Sequence, residues 1–271
     1  MAFELTVLGS AGSHPGVGRL CSGHLVRAGV DPVTHLVLDA GNGSTANLQR
    51  MVPLAGLDAV VVSHGHIDHC IDLIGVSYAL RFDLASVASG RRLPVIAADG
   101  VEATLRAVSS REDGTSGLDE VYAFDTVGDG DVRRVGALTL TFATAIHTVP
   151  AVSVRVDDGE AVLVYSGDSA GGESLLDLAR GADVLLCEAT WTGEASDHPE
   201  GLHLTAGGAG ALAREAGVGR LVLTHLAGAS DPSRALAEAR AVFDGPVGLA
   251  EDLATYAVAP SAHGGRPRRH P

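Results

Sequence analysis

Short apolar runs recur along the chain, and stretches in which apolar residues return every three or four positions lie between them. The short runs predict β-strands, and the longer period predicts amphipathic α-helices. The strands are predicted at 3–8, 24–27, 35–38, 59–62, 94–97, 138–143, 152–156, 161–165, 184–187 and 221–224. The helices are predicted at 44–52, 71–82, 101–108, 173–180, 205–215 and 232–243. Early strands follow one another closely and later ones alternate with helices, which favours an α/β (α+β) sandwich of mixed sheets covered by helices.

A polar cluster follows the apolar strand predicted at 59–62. It has the pattern HxHxDH and contains His64, His66, Asp68 and His69. Three imidazoles and a carboxylate within six positions are typical of metal ligands, and we expect them on the loop at the strand end, where α/β folds place much of their chemistry. His64 and His66 are offset from Asp68 and His69. These two ligand sets indicate two metal ions; the alternative is a histidine-rich solvated loop.

Three further polar residues also stand directly after apolar strands: His147, Asp168 and His225. Each by itself can be read as a capping or turn residue. Together with the first cluster they make seven candidate ligands at four strand ends, a number that suits two divalent ions with open positions for solvent. Zinc fits imidazole and carboxylate best, while manganese and iron remain open.

Composition narrows the class of protein. The chain has 271 residues, enough for one large domain, and a net charge of −14 with no lysine. That charge argues against a broad nucleic-acid surface, since cationic contacts to phosphate supply most such affinity. We expect no stable nucleic-acid binding and no membrane association, although metals could neutralise a phosphate-bearing substrate locally.

Three cysteines, Cys21, Cys70 and Cys187, show no CxxC spacing. We interpret them as buried thiols of a reducing compartment. The N-terminus lacks the pattern of a signal peptide, and no apolar stretch reaches membrane-spanning length. A cytoplasmic location is therefore expected. The stretch 260–271 is rich in Gly, Pro, Arg and His, so we predict one domain over 1–258 and a disordered tail over 259–271.

With these motifs the chain resembles the metallo-β-lactamase superfamily. The segments LTVLGSAGSHP, LVLDAGNGS and LVLTHL extend the resemblance over residues 3 to about 258. It implies a four-layer αββα sandwich with a binuclear site at one edge of two mixed β-sheets. The ligand sets it implies are His64, His66 and His147 for one metal, Asp68, His69 and His225 for the other, and Asp168 between them. It also implies that Asp39 supports the ligand loops.

An aspartate at position 168, rather than a cysteine, resembles the phosphodiesterase and thioesterase branches. Glu188-Ala-Thr190 and His203-Leu-Thr205 resemble elements of the ribonuclease Z-like branch. There the glutamate orients the histidine beside the scissile phosphate. Simple helix capping by His203 and Thr205 is the structural alternative.

The resemblance implies hydrolysis by a metal-bridging hydroxide, with charge on the phosphoryl oxygens stabilised by both cations. Asp68 would hold metal and orient the nucleophile. Protonation of a poor alkoxide leaving group falls to His203, kept cationic by Glu188, as general acid. The catalytic residues are thus predicted to be Asp68, His203 and Glu188.

The segment between His147 and Asp168 bears on the identity of the substrate. Ribonucleases Z that process transfer RNA carry a long basic arm there, whereas this chain has only a tight hairpin turning at Asp157-Asp-Gly159. The hairpin, Ser22-Gly-His-Leu25 and the residues after His225 resemble small bacterial cyclic AMP phosphodiesterases. The alternatives are a ribonuclease Z-type endonuclease, a lactonase or thioesterase of the same fold, and a non-catalytic metal-binding scaffold. The resemblance also implies a homodimer. Two loops, 10–19 and 86–92, are candidates to border the site.

Overall fold

The computed structural model describes residues 3–110, 116–228 and 230–261. Within them the strands form two seven-stranded sheets. The first contains β1 (Phe3–Gly9), β2 (Gly23–Ala28), β3 (Thr34–Ala40), β4 (Ala59–Val62), β5 (Leu93–Ala97), β6 (Tyr122–Thr126) and β14 (Thr255–Val258). The second contains β7 (Val132–Val135), β8 (Leu138–Thr144), β9 (Val152–Asp157), β10 (Val162–Tyr165), β11 (Val184–Glu188), β12 (Leu221–Thr224) and β13 (Val247–Leu249).

Both sheets are mixed. The first has the order β14-β1-β2-β3-β4-β5-β6 and the second the order β13-β12-β11-β10-β9-β8-β7. The strands from β3 to β6 pair in parallel, as do those from β10 to β13, whereas the remaining pairs are antiparallel. Strands β4, β10 and β12 are buried along their whole length, which explains their continuous apolar sequences.

Helices cover the outer faces of both sheets. They are α1 (Ser44–Leu48), α2 (Ile67–Cys70), α3 (Asp72–Phe82), α4 (Leu84–Ser89), α5 (Val101–Val108), α6 (Glu173–Ala179), α7 (Ala206–Ala216) and α8 (Pro232–Arg240). Helix α1 packs on the first sheet, and α6 and α7 pack on the second. One apolar cluster fills the space between the sheets and under the first helices, and another lies under α6, α7 and α8. The predicted four-layer αββα sandwich is confirmed.

The elements missed by the pattern are mostly edge strands. All ten predicted strands are present to within two residues at their ends, but β6, β7, β13 and β14 were not predicted. Strand β7 carries Arg133 and Arg134, and β13 is only three residues long, so neither has the apolar run that marks a buried strand. The predicted helix at 71–82 begins earlier than expected, because α2 adds a turn before it.

Three buried cysteines are free thiols, as predicted. Among the described residues, no helix is long and apolar enough to cross a membrane. The predicted domain end at residue 258 coincides with the end of β14 and remains a prediction. Of the predicted tail, residues 262–271, including His263 and His270, lie outside the described residues.

Candidate metal centre

The candidate ligands meet where strands of both sheets end. His64 follows β4 of the first sheet, while His147, Asp168 and His225 follow β8, β10 and β12 of the second. Because parallel strands end at one edge of a sheet, the chain needs no long loops to bring these side chains together. Asp68 and His69 lie in the short helix α2, not on a loop as the sequence predicted.

Among the described residues, three groups of side chains place their ligand atoms within 4.8 Å of one another. They are His64, His66, His147 and Asp168; Asp68, His69 and His225; and Asp168, His203 and His225. The first two groups separate as the sequence predicted, and Asp168 also belongs to the group that contains His225. Imidazole and carboxylate groups in this arrangement suit divalent metal ions.

Four histidines have one ring nitrogen fixed by a partner outside the cluster. In His69, Nδ1 lies 2.7 Å from Asp39 Oδ2, and in His147 it lies 2.9 Å from the Leu202 carbonyl oxygen. In His225, Nδ1 lies 2.9 Å from Thr190 Oγ1, and in His64 it lies 3.0 Å from Ser63 Oγ. The Asp39 and Leu202 oxygens only accept. The two hydroxyls donate to Asp39 and Glu188, so they too accept from the ring. In the neutral form, a ring held this way carries its proton on Nδ1, which leaves Nε2 free to bind a cation.

Ring nitrogens of five histidines converge. His69 Nε2 and His225 Nε2 are 3.1 Å apart, and His66 Nδ1 lies 3.0 Å from His64 Nε2 and 3.2 Å from His147 Nε2. Lone pairs facing one another at these distances are unfavourable unless a proton or cation lies between them. Burial lowers the pKa of His64 well below its ordinary value, which favours the neutral, ligating form.

Asp168 lies at the centre of this arrangement. It is 2% exposed, and its Oδ1 has no hydrogen-bond partner among the described residues. That atom lies 3.2 Å from His69 Nε2 and 3.3 Å from His225 Nε2, while Oδ2 lies 3.7 Å from His64 Nε2. Burial opposes ionisation, yet the imidazoles of His225 and His69 hold the pKa of Asp168 well below its usual range. A buried carboxylate with an unpartnered oxygen between two histidine groups suits a position shared by two cations.

Asp39 forms hydrogen bonds that hold the loop of the candidate ligands in place, the role that the resemblance implied for it. Besides His69, it accepts hydrogen bonds from the backbone N–H of Ser63 (2.7 Å), from Ser63 Oγ (2.8 Å) and from the Tyr165 hydroxyl (2.6 Å). The contribution of Tyr165 was missed by sequence reasoning. The signal for it is a phenol in an otherwise apolar strand, since a buried tyrosine hydroxyl needs a partner.

Backbone geometry at the centre is unusual. Ser13, Asp39 and His225 have φ of 64°, 58° and 55°, in the left-handed region. Such conformations cost of order 1–3 kcal/mol each and cluster at functional sites.

Ser13 donates its N–H to Asp68 Oδ2 at 2.8 Å, so the loop at 10–19 does border the site. The loop at 86–92 does not: Arg91 contacts Leu57 O, just before the start of β4 and therefore at the opposite end from His64.

Two glycines of the N-terminal motifs lie too close to the candidate ligands to be replaced by a residue with a side chain. A Cβ on Gly12 would lie 2.7 Å from His225 Nδ1, and one on Gly41 would lie 1.8 Å from the Asp68 carbonyl oxygen. Only glycine allows these backbone segments to approach the ligands so closely. The LGSAG and DAGNG motifs therefore serve the packing of the centre.

Glu188 and His203 form a pair beside the histidine cluster. Glu188 is fully buried, and its Oε1 lies 2.8 Å from His203 Nδ1 and accepts the Ser169 N–H at 2.8 Å. Burial opposes it, but the Glu188 carboxylate raises the pKa of His203 above its ordinary value. His203 is therefore more than a capping residue. Thr205 is the N-cap of α7 and accepts from the Gly208 N–H, so the capping alternative holds for it.

Comparison with known proteins identifies the family. The sequence profile described as "Beta-lactamase superfamily domain" matches residues 34–226. The chain is 37% identical to the uncharacterized protein Rv1339 of Mycobacterium tuberculosis (91% of this chain, 89% of the relative) and 32% identical to a ribonuclease Z of Myxococcus xanthus (92% and 96%). It also resembles the crystal structure of YhfI, a metallo-β-lactamase fold protein of Bacillus subtilis, with a TM-score of 0.83, 27% identity, and coverage of 95% of this chain and 100% of the other.

The chain therefore belongs to the metallo-β-lactamase superfamily, with ribonuclease Z-like proteins among its relatives. It is a hydrolase of this family. The family resemblance predicted from the sequence motifs is confirmed.

Proposed function

We propose that the protein is a binuclear metal-dependent phosphodiesterase whose most favoured substrate is a 3′,5′-cyclic nucleotide, cyclic AMP in particular. The observation that carries this proposal is the Glu188–His203 pair, because it places a proton donor beside the candidate metal ligands. His203 Nδ1 also lies 3.8 Å from Asp168 Oδ2. A thioester has less need of such a group than a phosphodiester with an alkoxide leaving group, because a thiolate leaves readily without a proton.

We assign His64, His66 and His147 to one metal ion, Asp68, His69 and His225 to a second, and Asp168 to both. Zinc is the proposed metal, on ligand type. Two cations in these positions would supply a water nucleophile that is ionised near neutral pH and positive charge for the non-bridging phosphoryl oxygens.

Side chains of the protein orient the nucleophile and protonate the leaving oxygen. Asp68, fixed by the Ser13 N–H and 3.3 Å from His225 Nε2, orients the nucleophile. His203, with Nδ1 held by Glu188, gives up its Nε2 proton to the departing sugar oxygen. General acid catalysis of this kind contributes about 10²- to 10⁴-fold.

Two observations support a small substrate over transfer RNA. Strands β9 and β10 join through a short turn in which Gly159 has φ of 92°, so no arm extends between His147 and Asp168. The net charge of −14 offers little attraction to a long polyanion.

The test is a side-by-side assay of purified, metal-replete protein on cyclic AMP, cyclic GMP and precursor transfer RNA, with the His203→Ala variant as the background control. We expect cyclic nucleotides to be hydrolysed and transfer RNA to be spared. Cleavage of precursor transfer RNA with steep salt dependence would replace the proposal with a ribonuclease Z activity. Hydrolysis of lactones or thioesters alone would reject phosphodiester chemistry.

A further inference from the structure

A cavity of about 430 Å³ lies directly beyond His203. Its wall includes His203 itself, Thr205, Trp191, His198 and Pro199. This volume falls within the range of about 300–1,000 Å³ that is typical of small-molecule sites. Because His203 belongs both to the cavity wall and to the group with Asp168 and His225, the cavity has room for a group bonded to the leaving oxygen.

Two aromatic rings form one side of the cavity. Trp191 and His198 stack with 4.6 Å between ring centroids and an interplanar angle of 9°. Trp191 also meets His203 edge to face, at 5.2 Å and 88°. Both stacked residues are only partly buried, which leaves aromatic surface open to a further planar ring.

The stacked pair is held in place by the backbone. Trp191 forms a parallel bridge with Thr205, and its carbonyl accepts the Ala206 N–H at 2.8 Å. His198 Nε2 lies 2.9 Å from the Thr192 carbonyl oxygen, which fixes that ring as well. A preformed platform of this kind loses little entropy when a ligand binds.

The cavity offers few charged groups to a second phosphate. None of its lining residues is an arginine, the only cation assigned there is His203, whose proton serves the leaving oxygen, and the only carboxylate is Glu200. Phosphate groups are bound by cations, whereas uncharged bases bind by stacking on aromatic faces. The cavity therefore suits an uncharged heteroaromatic ring and not a second phosphate or an RNA backbone.

We propose that this cavity is a nucleobase subsite, in which the base of the substrate stacks on the Trp191–His198 pair while its phosphate lies at the metal centre. The inference rests on the proposed phosphodiesterase function for the identity of the substrate. It makes Trp191 and His198 specificity-determining residues.

Trp191 is the only tryptophan of the chain, so its fluorescence reports on the cavity directly. Metal-replete protein is titrated with adenosine, adenosine 5′-monophosphate and ribose 5-phosphate. We expect saturable quenching by the first two and none by the base-free sugar phosphate. The KM for cyclic AMP should rise about 5- to 150-fold in Trp191→Ala, the fold change expected from loss of one stacked base, and much less in Trp191→Phe, with kcat and metal content little changed.

The outcomes separate the two proposals. Normal hydrolysis of cyclic AMP without quenching, and with an unchanged KM in Trp191→Ala, would overturn the base subsite and leave the phosphodiesterase standing. Equal quenching by ribose 5-phosphate would also overturn it. Quenching by adenosine in a protein that hydrolyses no phosphodiester would support the base subsite and reject the proposed reaction. The titration uses the unmodified protein, so it remains decisive even if the alanine variant does not fold.

Discussion

Glu188 Oε1 and His203 Nδ1 are 2.8 Å apart, with the carboxylate fully buried and the imidazole at the edge of a cavity. A buried carboxylate stabilises the cationic form of its partner, because no water competes for the interaction. The pair therefore combines a fixed counter-ion with a donor that a substrate can reach. His203 also lies between the candidate metal centre and the aromatic cavity, so it is the side chain whose replacement is most informative.

Replacing His203 with Ala should lower the turnover of cyclic AMP by about 10²- to 10⁴-fold, since an alkoxide leaves poorly without a proton. Hydrolysis of bis(p-nitrophenyl) phosphate should fall much less, because its leaving group needs little protonation. The measurement is kcat on both substrates, with metal content determined in parallel. Equal losses on the two substrates would contradict the role of His203 as general acid.

Replacing Asp168 with Ala should remove metal and activity together, because it deletes the carboxylate shared by the two proposed sites. Metal is quantified in the purified protein by elemental analysis. Asp177→Ala is the matched control, since that aspartate is exposed on α6 and pairs with Arg180 on the surface. A fully metallated, active Asp168→Ala variant would refute the shared position.

Replacing Tyr165 with Phe removes one hydrogen bond to Asp39 and should weaken metal affinity by about 10- to 100-fold, the usual effect of losing a group that orients ligands. Competition with a chelator measures the affinity. Tyr122→Phe is a close control, since Tyr122 is equally buried and donates its hydroxyl to Leu73 O, which is not part of the hydrogen bonds that hold the candidate ligands. If both variants bind metal alike, Tyr165 contributes only to stability.

His24 predicts a dependence of stability on pH. The ring is fully buried, neither nitrogen has a partner among the described residues, and burial lowers its pKa to about 3. Between pH 6.5, the ordinary pKa of a histidine, and about pH 3, His24 binds a proton in the unfolded chain but not in the folded chain. Stability is therefore lost as the pH falls through this window.

The difference between pH 8 and pH 5 is about 2 kcal/mol in the free energy of unfolding for this one group. The variant His24→Leu should therefore gain about that much, relative to wild type, at pH 5 compared with pH 8. Urea denaturation of both chelator-treated proteins measures it, so that the other histidines contribute equally. A constant difference across the pH range would show that folding does not lower the pKa of His24.

The strand-end positions explain why so much of the centre could be predicted from the sequence. His64, Asp168 and His225 each follow a wholly buried strand, so a polar residue there is conspicuous in the hydrophobic pattern. Their convergence then follows from parallel pairing. The order of Glu188 and His203 along the chain was also informative once the family resemblance had been recognised.

The remaining features depend on contacts that leave no local pattern. The link from Tyr165 to Asp39 joins residues 126 positions apart in the sequence, and the Ser13 N–H is a backbone group that any residue provides. The stack of Trp191 on His198 forms in an irregular segment without hydrophobic periodicity. Such contacts are set by how the two sheets and the loop after β11 pack, which residue spacing does not encode.

The candidate ligands divide between the two halves of the sandwich: His64, His66, Asp68 and His69 come after β4 of the first sheet, and His147, Asp168 and His225 come after strands of the second. Neither half of the sandwich alone contains both proposed ligand sets. A metal ion would therefore act as a cross-link between halves that are distant in sequence, and it would favour only the fully docked state. Metal occupancy therefore reports whether the two halves are docked. Loss of metal should first weaken the packing between the two sheets at the site.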